Sequence, residues 1–333
     1  MPLPLPLLDT FDRVHSDLRI SVTDRCNIRC FYCMPADNAE FAPRENLLTF
    51  DEIERFVRIA ATLGVNKLRL TGGEPLVRRH LGRLIERLVA VPGIEDVALT
   101  TNGILLTEQA AELKAAGLHR LNISLDTLEA ATFLRIARRP GLDRVLAGIE
   151  AARHAGFRKI RLNAVAIRGI TEAEVVPLAR YSLERGLELR FIEFMPLDAD
   201  RAWDNSQVLS GAEILSLLEA ALGRLEPLPV SNPSQPATDF RFADGSGTVG
   251  FINPVTAPFC GDCNRLRLTA EGQLRNCLFS TEEWDLRPLL RGAADDATIT
   301  HAIRACVAAK RAGHGINSDH FLRPARPMFQ IGG

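Results

Sequence analysis

Apolar residues recur along this chain with two alternating periods, every second position over short runs and every third or fourth over longer ones, the signatures of strand and helix. Strand-like runs occupy residues 18–22, 67–70, 96–99, 120–123, 159–166 and 188–192. Helical runs separate them: one ending near Leu63 before Gly64, then 81–89, 108–116, 130–137, 143–155, one opening at Thr171, and one ending near Leu222. Thr49 with Glu52, Thr171 with Glu174 and Ser210 with Glu213 have the spacing of capping boxes. Strand followed by helix six times implies parallel strands joined by right-handed crossovers. Because a closed barrel of this kind needs eight, the expected fold class is α/β, an incomplete (β/α)6 TIM-like barrel. The pattern changes after residue 222. Proline, serine and asparagine punctuate 225–258, with short strand-like pieces at 239–242 and 248–252. A hairpin at 266–269 and 273–277 and helices near 285–290 and 298–310 follow. The expected division is a barrel domain, 1–222, and a C-terminal α+β domain, 223–333, closing the barrel's lateral opening.

Four strand-like runs carry an arginine between apolar neighbours: Arg19, Arg69, Arg161 and Arg190. Alternation sends the apolar pair to one face and the arginine to the other. The apolar face of a barrel meets its helices, so the arginines point into the lumen, where an unpaired guanidinium is costly. A polyanion such as a triphosphate would satisfy them; so would salt bridges within the barrel, and Asp24 and Asp126 are the chief acids nearby. Other unusual peptides fall just past strand ends, at 26–33, 71–75, 100–102, 124–126 and 193–195. Sites of β/α barrels gather on that rim.

Composition narrows the classes. The 333 residues, 46% of them hydrophobic, can bury a large core. Forty basic residues against 41 acidic ones leave a net charge of -1, so nothing global draws the chain to nucleic acid or a membrane surface. No apolar run approaches the roughly 20 residues of a membrane span, and the proline-rich residues 1–8 lack a signal peptide's basic start and read as a disordered leader. Seven cysteines, six of them in two clusters, argue for metal ligation in a reducing, cytoplasmic compartment. Cys306, in a helical run, reads as a small buried residue.

Cys26, Cys30 and Cys33 crowd into eight residues, too close to pair among themselves, and suit a soft metal centre. Structural zinc wants four closed ligands, and no histidine lies in this loop. A four-iron cluster held by three thiolates keeps one iron open for a small chelating ligand. The hairpin brings Cys277 back beside Cys260 and Cys263; this spacing alone admits zinc with a remote fourth ligand as well as a second cluster. Gly72 and Gly73 before Glu74 and Pro75 let a backbone approach a ligand closely, although such turns also occur without one.

The Cys-x3-Cys-x2-Cys loop, with Tyr32 before its last cysteine, resembles the cluster loop of the radical S-adenosylmethionine superfamily. The second cysteine set narrows the resemblance to the GTP 3′,8-cyclase family, from about Asp17 to Gly333. That resemblance implies two four-iron, four-sulfur clusters, on Cys26, Cys30 and Cys33 and on Cys260, Cys263 and Cys277. In that family S-adenosylmethionine is cleaved to methionine and 5′-deoxyadenosine, and GTP becomes (8S)-3′,8-cyclo-7,8-dihydroguanosine 5′-triphosphate, the first step of molybdenum cofactor biosynthesis. The radical takes the ribose 3′-hydrogen, and the resulting carbon radical attacks guanine C8. Also implied are Tyr32, Gly73, Glu74, Ser124 and Met195 as S-adenosylmethionine contacts. Arg19, Arg69, Thr100, Arg161, Arg190, Arg265 and Arg267 would bind GTP, and Gly332 and Gly333 would form a tail reaching the active site. Arg161 departs from a pattern that often has lysine there. Implied partners are an electron donor and cyclic pyranopterin monophosphate synthase, which takes the product, with the chain a monomer or homodimer and no nucleic-acid or membrane partner. A radical enzyme acting on a peptide, and a non-catalytic metal protein, remain open alternatives.

Overall fold

The structure is a computed structural model that describes residues 6–230 and 232–333. Six parallel strands lie side by side in chain order: β1 (Asp17–Ser21), β2 (Lys67–Thr71), β3 (Asp96–Thr101), β4 (Arg120–Ser124), β5 (Ile160–Ala166) and β6 (Glu188–Glu193). Leu18, Ile20, Leu68 and Leu70 on β1 and β2 share a core with Ile53 and Phe56 of helix Phe50–Thr62 and Leu84 and Leu88 of helix Leu81–Val89. Burying each such side chain stabilises the fold by roughly 1.5–3 kcal/mol. That burial offsets the cost of placing arginines on the strands' other face.

Residues beyond 222 extend this sheet on both flanks instead of forming one of their own. β7 (Leu225–Pro227), β8 (Thr238–Phe242) and β9 (Thr248–Ile252) make an antiparallel ribbon whose last strand runs parallel to β6. β10 (Arg265–Leu268), β11 (Gln273–Arg275) and β12 (Trp284–Asp285) extend the opposite edge through a parallel pairing of β10 with β1. The outcome is one open twelve-stranded sheet, ordered β12-β11-β10-β1-β2-β3-β4-β5-β6-β9-β8-β7. A second, small core of Leu197, Phe279 and Ile331, with Met195, Cys277 and Met328 packed on it, ties the chain's end to the loop after β6 and to the second cysteine set.

Two of the three expected capping boxes form, at Thr49 with Glu52 and at Ser210 with Glu213. The one at Thr171 does not. Its hydroxyl accepts the Ile167 N–H at 2.8 Å and donates to Val165 O at 3.1 Å, closing the turn that ends β5. Glu174 accepts instead from the Leu128 N–H, at 2.8 Å, and the helix starts one turn later, at Val175–Arg185. The last long helix, by contrast, starts earlier than expected, Asp296–Ala308, because Asp295 accepts the Thr298 N–H as its cap. Residues 1–5 of the expected disordered leader lie outside the described residues. For 6–8 the expectation fails: Leu7 is buried, its N–H donates to Leu63 O at 3.2 Å, and Leu8 bridges to Val14.

Candidate active site

At the C-terminal ends of the parallel strands lies one cavity of about 310 Å³, lined by every site residue expected from the sequence except Gly332. Its first wall is the loop that leaves β1. Backbone bonds pin that loop to the tip of β2: the Gly73 N–H donates to Thr23 O (2.7 Å) and the Glu74 N–H to Arg25 O (2.8 Å). A Cβ on Gly72 would stand 2.3 Å from Thr23 O, and one on Gly73 would stand 2.4 Å from Arg25 O. Approach between two segments of the chain itself therefore already requires the glycine pair. Glu74, buried beside it, accepts from Thr101 Oγ1 (2.7 Å) and the N–H groups of Leu76 (3.0 Å) and Asn102 (2.7 Å), joining the tips of β2 and β3. Burial pushes its carboxyl up to about 7.

The cysteines of this loop have acids, amides and one guanidinium, that of Arg29 on Cys26 O, for neighbours. Asn102 donates to Asn27 Oδ1 at 2.7 Å and faces Cys26 Sγ at 3.8 Å. Tyr32 donates its hydroxyl to Asp126 Oδ2 at 2.7 Å, while Asp126 Oδ1 accepts the Val165 N–H at 2.8 Å. Burial raises the Asp126 carboxyl to about 6. Burial, then the charge of Glu74, pushes the Cys26 thiol up to about 11; Cys30 and Cys33 are raised as well, chiefly by burial. Thiols that hold their protons this firmly ionise when a metal neutralises the thiolate.

The second set has cations for neighbours. Cys263 Sγ accepts from Arg265 Nη2 (3.2 Å), Arg265 Nε (3.3 Å) and Lys310 Nζ (3.3 Å). Burial opposes ionisation of this thiol, yet Arg265 and Lys310 outweigh it and pull it down to about 6. Sequence reading missed Lys310, which arrives from just past a helix 47 residues away with no local motif to mark it. It also missed Arg13, whose guanidinium donates to Cys260 O (2.7 Å) and Ala312 O (2.9 Å).

A row of arginines lines the same cavity as the two sets. Strand register sets Arg267 of β10, Arg19 of β1 and Arg69 of β2 side by side. Among the described residues none of the three has a carboxylate partner, and the Nε atoms of Arg19 and Arg69 are buried without any partner. Burial, then Arg267 and Arg265, lowers the guanidinium of Arg19 to about 9; burial, then Arg265, does the same for Arg267. Thr100 Oγ1 and Asn163 Oδ1 on the same cavity are also buried and unpartnered. Arg161 and Arg190 differ. Arg161 Nε donates to Glu188 (2.8 Å), which faces it in register on β6. Arg190 Nη2 donates to Asp239 (3.2 Å) across β9, where Gly250 leaves the room: a Cβ there would stand 2.4 Å from Asp239 Oδ1. Of the two readings open for the four strand arginines, salt bridges within the barrel hold for Arg161 and Arg190, while Arg19 and Arg69, with Arg267 as a third, lack a carboxylate partner among the described residues.

The chain's end enters the same space. Phe329 and Ile331 are buried anchors, Gly333 lines the cavity, and Thr71 Oγ1 donates to Gly333 O at 2.7 Å. Arg267 donates to Gly332 O. Gly332 holds φ at +89°, and a Cβ there would press on Ser21 Cβ at 3.0 Å and Thr71 Cγ2 at 3.1 Å, so only glycine fits. Ser124 and Met195 complete the rim.

Among the described residues no three His, Cys, Asp or Glu side chains converge as a single-ion site. All six site cysteines are free thiols, in two triplets facing one cavity. Soft sulfur donors without a nearby disulfide partner fit iron-sulfur ligation. The family model described as Radical SAM superfamily matches residues 20–181, and Molybdenum Cofactor Synthesis C matches 187–316. A GTP 3′,8-cyclase of Rhodopirellula baltica is 57% identical over 99% of this chain and 93% of its own length. Another, from Mycolicibacterium smegmatis, is 48% identical over 100% of this chain and 93% of its own. Among solved structures, Streptococcus suis SuiB bound to S-adenosylmethionine has the same fold, with a TM-score of 0.62 at 15% identity, covering 96% of this chain and 77% of SuiB. By full-length identity to these relatives and by both domain matches, the chain belongs to the GTP 3′,8-cyclase family of the radical S-adenosylmethionine superfamily.

Proposed function

We propose that this chain cyclises GTP to (8S)-3′,8-cyclo-7,8-dihydroguanosine 5′-triphosphate, the first step of molybdenum cofactor biosynthesis, with S-adenosylmethionine cleaved to methionine and 5′-deoxyadenosine. The observation that carries this reading is a row of three arginines without carboxylate partners among the described residues, Arg267 buried and Arg19 and Arg69 half-buried, on the one cavity that two three-thiol sets also line. Cys26, Cys30 and Cys33 would hold an iron-sulfur centre supplying the electron for S-adenosylmethionine cleavage, and Cys260, Cys263 and Cys277 would hold a second that binds the substrate.

The chain's own residues bind, orient and exclude water. Arg267, Arg19 and Arg69 receive the triphosphate, each charge-assisted bond stabilising by about 1.5–3 kcal/mol. Thr100 and Asn163, with unpartnered side-chain oxygens, take polar groups of the nucleoside. Arg161 and Arg190 hold the far wall, each paired to a carboxylate, Glu188 and Asp239, and so add less to GTP binding than the first three. Tyr32, Gly73, Glu74, Ser124 and Met195 frame S-adenosylmethionine; Glu74 does so by fixing the tips of β2 and β3. The diglycine tail, anchored by Phe329 and Ile331, seals the site so that water does not quench reactive species. A peptide substrate would leave the arginine row without counter-charge.

No helix among the described residues is long and apolar enough to cross a membrane. A cytoplasmic chain, monomeric or homodimeric, served by an electron donor and handing its product to cyclic pyranopterin monophosphate synthase, completes the reading. Anaerobic reconstitution with iron and sulfide tests it: 5′-deoxyadenosine should form only when GTP is present. Formation at equal rate without GTP, or tightly bound zinc with no sulfide, contradicts it.

A further inference from the structure

The two cysteine sets differ in the charge of the side chains that reach their sulfurs. At the first, the groups pointing at sulfur are neutral, the Asn102 amide facing Cys26 at 3.8 Å and the Phe329 N–H directed at Cys33. The charges acting there are mixed: the carboxyls of Glu74 on Cys26 and of Asp126 on Cys30, and the guanidinium of Arg29, which donates to Cys26 O at 2.8 Å and not to a sulfur. At the second, both side chains that reach Cys263 Sγ are cations, Arg265 at 3.2 Å and Lys310 at 3.3 Å. Lys310 is 5% exposed. Its ammonium also donates to Arg265 O at 3.1 Å, and among the described residues it has no carboxylate partner. The sulfur is therefore its counter-charge.

Its position is fixed by bonds that serve no other evident purpose. Asn276 Nδ2 donates to Cys306 O at 2.8 Å, holding the end of helix Asp296–Ala308 against the residue next to Cys277. Arg13 joins Cys260 O, Arg311 O (2.7 Å) and Ala312 O, so the segment that carries Lys310 and the loop that carries Cys260 and Cys263 are clamped together. Arg265, lying over the Phe259 ring at 4.7 Å, is held from its other side.

We infer that Lys310, together with Arg265, is a positioning residue that sets the reduction potential of the second iron-sulfur centre above that of the first. The inference rests on the two-cluster reading. Hydrogen bonds to a ligating sulfur and nearby positive charge stabilise the more negative, reduced state of a centre, whereas nearby carboxylates disfavour it. Burial in a low-dielectric interior strengthens both effects. Arg265, assigned to GTP by resemblance, spends its donors on the thiolate, while its neighbour Arg267 faces the arginine row.

The test uses the full-length chain in which Cys26, Cys30 and Cys33 are replaced by serine, so that only the second centre is held. After anaerobic reconstitution, its midpoint potential is read by a spectroscopically monitored redox titration. Lys310→Met should lower the reduced-to-oxidised ratio at fixed potential at least tenfold, a shift of about 59 mV for a one-electron couple. Lys310→Arg, which keeps the charge, should stay within threefold of the parent. In the reciprocal chain, with Cys260, Cys263 and Cys277 replaced, the first centre should titrate at lower potential and ignore Lys310→Met. An unchanged potential in Lys310→Met with full iron content overturns the inference. So does loss of iron from Lys310→Met alone, which would make the lysine a holder of the centre instead of a tuner. A parent chain that binds no iron would sink the two-cluster reading itself, a different and distinguishable result.

Discussion

The lumen of this sheet has two arginine-bearing walls that look alike in sequence and behave differently in space. On β10, β1 and β2, strand register sets Arg267, Arg19 and Arg69 against one another, and like charges side by side on neighbouring strands are destabilising. On β5 and β6, Arg161 meets Glu188 in register and Arg190 reaches Asp239 over Gly250. Each of these five arginines sits between apolar or near-apolar strand neighbours. A strand arginine thus points to a ligand only where no acid comes within ion-pair distance; Asp17 on β1 acts on Arg19 and Arg69 without pairing with them, so among the described residues the first wall meets that condition.

The comparison can be broken in several ways, the largest effect first. Deleting Gly332 and Gly333 removes the carbonyl to which Arg267 donates and loosens the unpaired wall; turnover should fall about a hundredfold, the cost of roughly 1 Å of misplacement. Iron content and melting temperature should hold. Product yield equal to wild type would show the tail to be inert. Next, Arg19→Ala should weaken GTP binding roughly ten- to hundredfold, corresponding to about 1.5–3 kcal/mol for a charge-assisted bond to phosphate, as read by anaerobic calorimetry. Arg190→Met, on the paired wall, should act on stability instead. It leaves the partly exposed Asp239 with only Gln235 and costs about 1 kcal/mol in a denaturant titration, while GTP affinity changes less than fivefold. The smallest effect carries the sharpest sign. Arg69→Met removes one of three adjacent cations without carboxylate partners among the described residues, so the ligand-free protein should be no less stable, or more stable by under about 1 kcal/mol. A drop in stability for Arg69→Met like that for Arg190→Met would erase the distinction between the walls.

Much of this could be read from the sequence because it is local. The cysteine spacings, the six strand-helix units and the hairpin between Cys263 and Cys277 depend on residues near one another in the chain, and the structure keeps them. What escaped is set by register and by distant segments. Nothing near Arg190 announces that Asp239 will reach it from two strands away, and nothing near Cys263 announces Lys310. Gly73 suggested a ligand's approach, but the close neighbour is the carbonyl of Arg25, brought there by the return of the cysteine loop onto β2. At Thr171 the local capping signal lost to a turn that needed the same hydroxyl. Four strands of 223–333, β8 to β11, were legible one by one, but the short β7 and β12 were not, nor were the places of any on the flanks of the barrel sheet, since pairing of β10 with β1 joins Asp17 to Arg265.

The central claim is that one cavity holds GTP with its ribose within reach of chemistry started at the first cysteine set. GTP deuterated at the ribose 3′ carbon tests this most directly, incubated anaerobically with the reconstituted chain, reductant and S-adenosylmethionine. The account predicts that the 5′-deoxyadenosine formed carries deuterium, as read by mass spectrometry. Unlabelled 5′-deoxyadenosine, formed while both iron-sulfur centres are present and GTP is bound, would contradict it.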